Sequence, residues 1–288
     1  MNMPVDQLVD GFVRFRIDLS YDGTDFAGWA RQPGMRTVHG EIVRVLTQLF
    51  GESETDFDLR VAGRTDAGVH AEHQVIHVDL NERQIKRIGR NKDVAGRLNK
   101  LLDLDVRVRS FAEAPEHFHA RYGATYRRYR YRVADATATQ NAMHGRFTLW
   151  LGYELDVLEM QATALEFYGL HDFASFCKPR DIGTTIRDIK EITVKRNKHD
   201  NNVIEIEVMA DAFCHNMIRS IVGALIKVGG GRATKAEVVA ALGAKNRAHP
   251  YKVVEPHGLS MIEIGYPPVK KLAEQVALVQ RTRTLDEN

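Results

Sequence analysis

Hydrophobic and polar positions alternate over residues 14–21, where Phe15, Ile17, Leu19 and Tyr21 interleave with Arg14, Arg16, Asp18 and Ser20. A period of two predicts a half-buried strand, closed here by a turn at Asp22-Gly23. The period then changes. Val38, Ile42, Val45, Leu46 and Leu49 share one helical face behind Thr37, a residue type that caps helix N-termini. Residues 57–62 and 75–80 read as strands, 92–102 as a helix and 106–111 as a strand.

The order recurs in the second half, beginning with a strand at 126–133. Asp156 and Glu159 resemble a helix cap and its reciprocal partner, ahead of apolar positions Leu158, Ala162, Leu165 and Phe167. Residues 189–194 and 203–209 flank the turn formers of 197–202 and read as a hairpin. Met217, Ile218, Ile221, Val222 and Leu225 form a helical stripe that stops at Gly229-Gly230-Gly231, followed by a short helix at 235–242 and a last strand at 261–265. Strand–helix–strand–strand–helix–strand, twice, predicts an α+β fold of two ferredoxin-like subdomains, each an antiparallel sheet with helices on one face. We place the subdomains at 1–122 and 123–288.

The chain has 288 residues, 44% of them apolar, which is ample for a buried core. It lacks an apolar run of about 18 residues, so no transmembrane helix is expected. Residues 1–10 carry Asp6 and Asp10 and no apolar centre, so they are not expected to act as a secretory signal. Two cysteines, Cys177 and Cys214, are too few for a disulfide framework, and reduced thiols in a cytoplasmic protein are the expectation. Net charge is only +2, but the basic residues are clustered. Arg121, Arg127, Arg128, Arg130 and Arg132 fall in one stretch without an acid, and Arg83, Lys86, Arg87, Arg90, Lys92, Arg97 and Lys100 form another basic run.

Residues 62–71, AGRTDAGVHA, join two predicted strands. Gly63 and Gly68 permit unusual backbone conformations, and the spacing of Arg64 and Asp66 projects both side chains to one side of an extended chain. A guanidinium there would hold the acid ionised as a nucleophile or base. A plain turn stabilised by an Arg–Asp pair is the alternative. In residues 126–133 the pleat puts Tyr126, Arg128, Arg130 and Arg132 on one face and Arg127, Tyr129, Tyr131 and Val133 on the other. The arginine row suits phosphates, and the tyrosines suit either base stacking or a core. Arg219 lies just past the apolar stripe of its helix, where it could reach inward to an acid such as Asp66 or stay at the surface. His70, His73 and His77 lack companions at zinc spacing, and the glycine triplet follows a helix without a P-loop's Lys-Ser/Thr. No metal or cofactor is expected.

Five segments in order, YDGTDFAGWARQ (21–32), AGRTDAGVHA (62–71), FHARYGATYRRYRYRV (118–133), DFASF (172–176) and FCHNMIRSIVG (213–223), with GLSM (258–261) after them, resemble the tRNA pseudouridine synthase A family. The resemblance implies an isomerase that converts uridine to pseudouridine at positions 38, 39 and 40 of the tRNA anticodon stem-loop. It implies a homodimer without cofactor or metal, and an eight-stranded sheet spanning both halves, so that the two antiparallel sheets join into one mixed central sheet. The family's catalytic aspartate maps onto Asp66, its active-site tyrosine onto Tyr129, and the arginine preceding the aspartate onto Arg64. Its helix arginine, which pairs with the catalytic acid, maps onto Arg219. On this reading Arg128 and Arg130 contact RNA phosphates. Ala30 and His39 stand where many members have glutamine. A non-catalytic tRNA-binding module would keep the Arg/Tyr strand without requiring Asp66.

Overall fold

A computed structural model describes residues 8–51, 53, 57–89, 93–178, 183–246 and 251–279. The chain forms two compact units, one from Met1–Thr125 with Met261–Arg281 and the other chiefly from Tyr126–Ser260.

The first unit opens with β1 (Phe12–Tyr21) and α1 (Val38–Phe50), continues through β2 (Arg60–Val61), β3 (His70–Asn81), α2 (Glu82–Ile88) and α3 (Val94–Leu101), and reaches β4 (Val106–Glu113). β1 is antiparallel to both β3 and β4, with Ile17 opposite Ile76 on one side and Phe111 on the other. Its pleat buries Ile17, Leu19 and Tyr21 and leaves Arg14, Arg16 and Asp18 half-buried on the opposite face. There Arg14 pairs with Asp79, and Asp18 gathers Arg16, His73 and Ser110. α1 buries Val38, Ile42, Val45 and Leu46. The Thr37 hydroxyl accepts from the Gly40 N–H at 3.2 Å, as its position predicts. β2 is shorter than the pattern of 57–62 predicts, and β3 begins earlier, at His70. α2 has no apolar stripe to announce it. It is specified by a reciprocal cap, in which Asn81 accepts from the Gln84 N–H and Gln84 from the Asn81 N–H. Arg90 and Lys92 of the basic run lie outside the described residues.

The second unit holds β5 (Tyr126–Ala134), β6 (Leu149–Trp150), α4 (Val157–Ala164), β7 (Gly169–Asp172), β8 (Ile186–Asn197), β9 (Val203–Ala210), α5 (Met217–Gly229) and α6 (Lys235–Ala244). The chain ends its described course in β10 (Leu259–Gly265) and α7 (Leu272–Val279). α4 is capped by Asp156 as predicted, but it buries Met160, Thr163 and Ala164, while Leu158 is 82% exposed. The helix is too short for its few apolar residues to fix the phase, and packing chose a different face. Tight approaches explain two glycines. A Cβ on Gly223 of α5 would lie 2.0 Å from the Lys252 carbonyl oxygen, and one on Gly258 would lie 2.6 Å from the Tyr131 ring. A disulfide joins Cys177 to Cys214, whose Cα atoms are 5.7 Å apart. The low cysteine count predicts free thiols; a count carries no information about which residues a fold brings together.

Among the described residues ten strands form a mixed open sheet, ordered β4-β1-β3 with β2 on β3 in the first unit and β5-β9-β8-β7 with β6 parallel to β5 in the second. Within the first unit β4-β1-β3-β2 is the ferredoxin-like order, and the recurrence of strand and helix order in the second unit matches the predicted α+β class.

Candidate active site

The loop between β2 and β3 is held from below by buried polar groups. The Ala62 N–H donates to the Val75 carbonyl at 2.9 Å. Gln74, fully buried, donates its amide to the Gly63 carbonyl at 2.8 Å and to the Tyr21 hydroxyl at 3.2 Å. The Tyr21 hydroxyl lies 2.8 Å from that of Thr65. Burial pushes the Tyr21 phenol up to about 12, against smaller opposing effects of Thr65 and Gln74, so the group stays protonated as a hydrogen-bonding post. Thr65 is buried, while its neighbours Arg64 and Asp66 are exposed and half-buried respectively. Sinking residue 65 turns 64 and 66 outward, as their spacing predicts. The Asp66 carbonyl accepts from the Val69 N–H at 3.2 Å, and Gly68 adopts a φ of +74°, a left-handed conformation that glycine tolerates without strain.

The segment after β1 is the seat on which this loop rests. The Trp29 N–H donates to the Thr65 carbonyl at 3.0 Å, and the Gly68 N–H donates to the Phe26 carbonyl at 3.3 Å. The Gly23 N–H donates to His70 Nδ1 at 2.9 Å. A Cβ on Gly23 would fall 2.0 Å from the Val69 carbonyl oxygen. Gly28, at φ +96°, would bring a Cβ to 3.0 Å from both Ala67 N and the Thr65 carbonyl oxygen. The two glycines thus let one backbone lie directly on another. Trp29 and Tyr21 fill the space beneath, with ring centroids 6.2 Å apart. His39 meets Trp29 edge-on at 6.4 Å; burial, then Arg31 and Arg64, hold its imidazole below the usual range. Pattern reading found Arg64 and Asp66 but took Tyr21 only as a strand position and Gly23 only as a turn, and gave no role to Gly28, Trp29 or Gln74. For all but Gln74 the signal was the density of glycine and aromatic residues in 21–32.

The other candidates belong to the second unit. β5 alternates as predicted, burying Arg127, Tyr129, Tyr131 and Val133. Tyr131 is fully buried and donates its hydroxyl to the Glu255 carbonyl at 2.7 Å. Tyr129 is 7% exposed, and Phe213 meets it nearly perpendicularly with centroids 5.2 Å apart. Arg219 lies two positions into α5 from its start. Its Nε donates to the Val254 carbonyl at 2.7 Å and its Nη1 reaches Asn216 Oδ1 at 3.5 Å, which fixes the guanidinium plane.

The arginine row differs from the bare cationic face that its sequence suggests. Arg128 pairs with Glu191 and Glu207, Arg130 with Glu207, and Arg132 with Asp200 and Glu205. Register explains this: β9 sets Glu207 opposite Arg130 and Glu205 opposite Arg132. Three guanidiniums therefore face four carboxylates, and the row is a cross-strand ladder that a phosphate would meet already compensated. The histidines of β3 go three separate ways. His70 accepts from Gly23, His73 joins Asp18, and His77 accepts from the Ala120 N–H.

Residues 163–267 match a family model described as tRNA pseudouridine synthase. The full chain is similar to proteins named tRNA pseudouridine synthase A. That of Streptomyces avermitilis is 47% identical over 288 residues, covering 97% of each chain. That of Streptomyces griseus is 45% identical over 280 residues, again 97% of each. That of Leifsonia xyli is 41% identical over 290 residues, with 96% of this chain and 100% of the relative covered.

Proposed function

The chain belongs to the tRNA pseudouridine synthase A family and is an isomerase converting tRNA uridine to pseudouridine, and we propose that Asp66 performs the chemistry on a nucleotide everted from positions 38, 39 and 40 of the anticodon stem-loop. The reaction breaks the N1–C1′ bond, turns the uracil and joins C5 to C1′; C5 gives up a proton and N1 gains one. No atom or electron is supplied from outside. The target bond is shut inside a stacked helix, so the nucleotide must leave the stack at a cost of a few kcal/mol.

Attack at C1′, attack at C6 and removal of a ribose proton make the same demand on the acid: a carboxylate, ionised and held still, facing outward. The observation that carries this reading is the anchoring of Thr65 beneath the loop, which turns Asp66 and Arg64 outward from a rigid base. Arg64, exposed beside it, is suited to the stack that the nucleotide vacates. Tyr129 offers its ring to the everted base, and Arg219, its plane fixed by Val254 and Asn216, is a further residue of the second unit that we assign to holding the nucleotide. The enzyme acts as a homodimer in the cytoplasm, gripping tRNA by shape and without a metal or cofactor. The compensated ladder of β5 leaves Arg128 and Arg130 out of the phosphate contacts that we propose.

The test is an unmodified tRNA transcript incubated with the protein in chelator-treated buffer, with pseudouridine mapped by position. Modification at 38, 39 and 40 is expected. Asp66→Asn should abolish turnover and keep tRNA affinity; turnover retained by that variant overturns the assignment.

A further inference from the structure

We infer that Cys177 and Cys214 form a redox-responsive clasp that shuts the stacking surface of Tyr129 when oxidised. The inference rests on Tyr129 receiving the base. The two cysteines lie 37 residues apart in sequence, yet their Cα atoms are 5.7 Å apart, within the span that a disulfide bridges. Each ends or interrupts a segment of functional interest: Cys177 follows Phe176, and Cys214 stands between Phe213 and the turn that opens α5. The Lys178 N–H donates to the His215 carbonyl at 2.9 Å, so the two backbones already run in contact. Phe213, adjacent to Cys214, meets the Tyr129 ring nearly perpendicularly at 5.2 Å between centroids, and Tyr129 is 7% exposed. A base needs a ring face. A covalent tie beside Phe213 holds its ring in place, and releasing the tie lets it swing away.

Cys177 is 1% exposed and Cys214 half-buried, which makes Cys214 the sulfur that a small oxidant reaches. With a low-molecular-weight disulfide as oxidant, the Cys214 thiolate attacks one sulfur, the oxidant's S–S bond breaks and its other half leaves as a thiol. The Cys177 thiolate then attacks Cys214 Sγ in the mixed disulfide and expels the second thiol. Two protein thiols lose two hydrogens, and one small disulfide becomes two thiols.

The experiment exposes the full-length protein to oxidised or reduced glutathione and reads free thiols, intact mass and the single-turnover rate on tRNA. Oxidation should remove both thiols and slow turnover by about tenfold, with recovery on reduction and little change in tRNA affinity. Cys214→Ser and Cys177→Ala should both keep the reduced protein's rate and lose the response; the two variants together guard against a folding defect in either. Thiols that stay free, a disulfide that native-state reductant does not open, or an oxidised protein of undiminished rate each overturns the clasp. Tyr129→Ala, assayed reduced, separates the premise: full activity there removes the stacking role, whereas a slow variant with a redox-insensitive parent removes the clasp alone.

Discussion

The Tyr21 hydroxyl stands 2.8 Å from the Thr65 hydroxyl, across a separation of 44 residues, and so ties the end of β1 to the loop that bears Asp66. Gln74 completes the triad by donating to Tyr21 and to the Gly63 carbonyl. Tyr21→Phe keeps the ring and removes the link, leaving the buried Thr65 and Gln74 each short of a partner. The expected loss of stability is about 1–3 kcal/mol by chemical denaturation. The expected kinetic signature is a lower kcat with KM nearly unchanged, because the loop orients the acid rather than the tRNA. A variant with wild-type kcat would show that the loop holds its shape without this post.

Gly28→Ala tests the seat itself. At φ +96° an alanine is strained, and its Cβ would press at 3.0 Å on the backbone of residues 65 and 67. Backbone cannot swing aside as a flexible side chain can, so the loop must shift. Activity is expected to fall by about two orders of magnitude, the scale of an ångström's misplacement at a reacting group. Circular dichroism should still report a folded protein. Gly34→Ala is the control, since φ there is +71° but no atom lies within 4 Å of a Cβ.

What the sequence revealed and concealed follows the range of the interactions. β1, α1, β5, the β8–β9 hairpin and α5 are legible because each writes its burial into its own period, and the alternation of exposed Arg64, buried Thr65 and half-buried Asp66 follows from local spacing. α2 escaped because its identity lies in a cap, and α4's face escaped because two turns leave the phase undetermined. The supports of the loop were hidden for a different reason. Tyr21, Gln74 and Gly28 matter only once tertiary structure brings them against residues 63–67. The glutamates facing Arg128 and Arg130 lie more than sixty positions away in the chain, and only strand register reveals them.

His77 sets an acid limit on the first unit. It is 1% exposed, its Nδ1 accepts from the Ala120 N–H at 3.0 Å, and the His119 ring lies 4.7 Å away. Burial first, then Arg14, His119 and Arg60, push its pKa down to about 2. The folded protein therefore keeps this imidazole neutral, while the unfolded chain takes up a proton below pH ~6.5. Stability from this group is complete above that pH and falls as pH drops, by ~1.4 kcal/mol per unit. His77→Asn retains an acceptor and cannot protonate. Denaturant midpoints measured between neutral pH and pH ~5 should decline less steeply for the variant, by one proton's worth of slope. Parallel pH profiles for the two proteins would show that His77 is not the acid-sensitive group.

The ladder on β5 makes a claim about salt. A protein that neutralises RNA phosphates with free cations loses affinity on a logarithmic salt scale, and removing one such contact lowers the slope by about one. Arg128 and Arg130 already face Glu191 and Glu207, with closest approaches of 2.9 and 2.8 Å. Replacing both with alanine strips the glutamates of their partners. The expected effect is therefore a less stable second unit, with a salt slope for tRNA binding that stays close to that of the parent. The inverse change sharpens the test. Glu207→Gln removes the acid shared by both arginines and leaves the guanidiniums of Arg128 and Arg130 facing Glu191 alone, so it should raise tRNA affinity at low salt and steepen the slope. A double alanine variant whose slope drops by about two would return Arg128 and Arg130 to the phosphate contacts, and would mean that RNA displaces the glutamates rather than avoiding them.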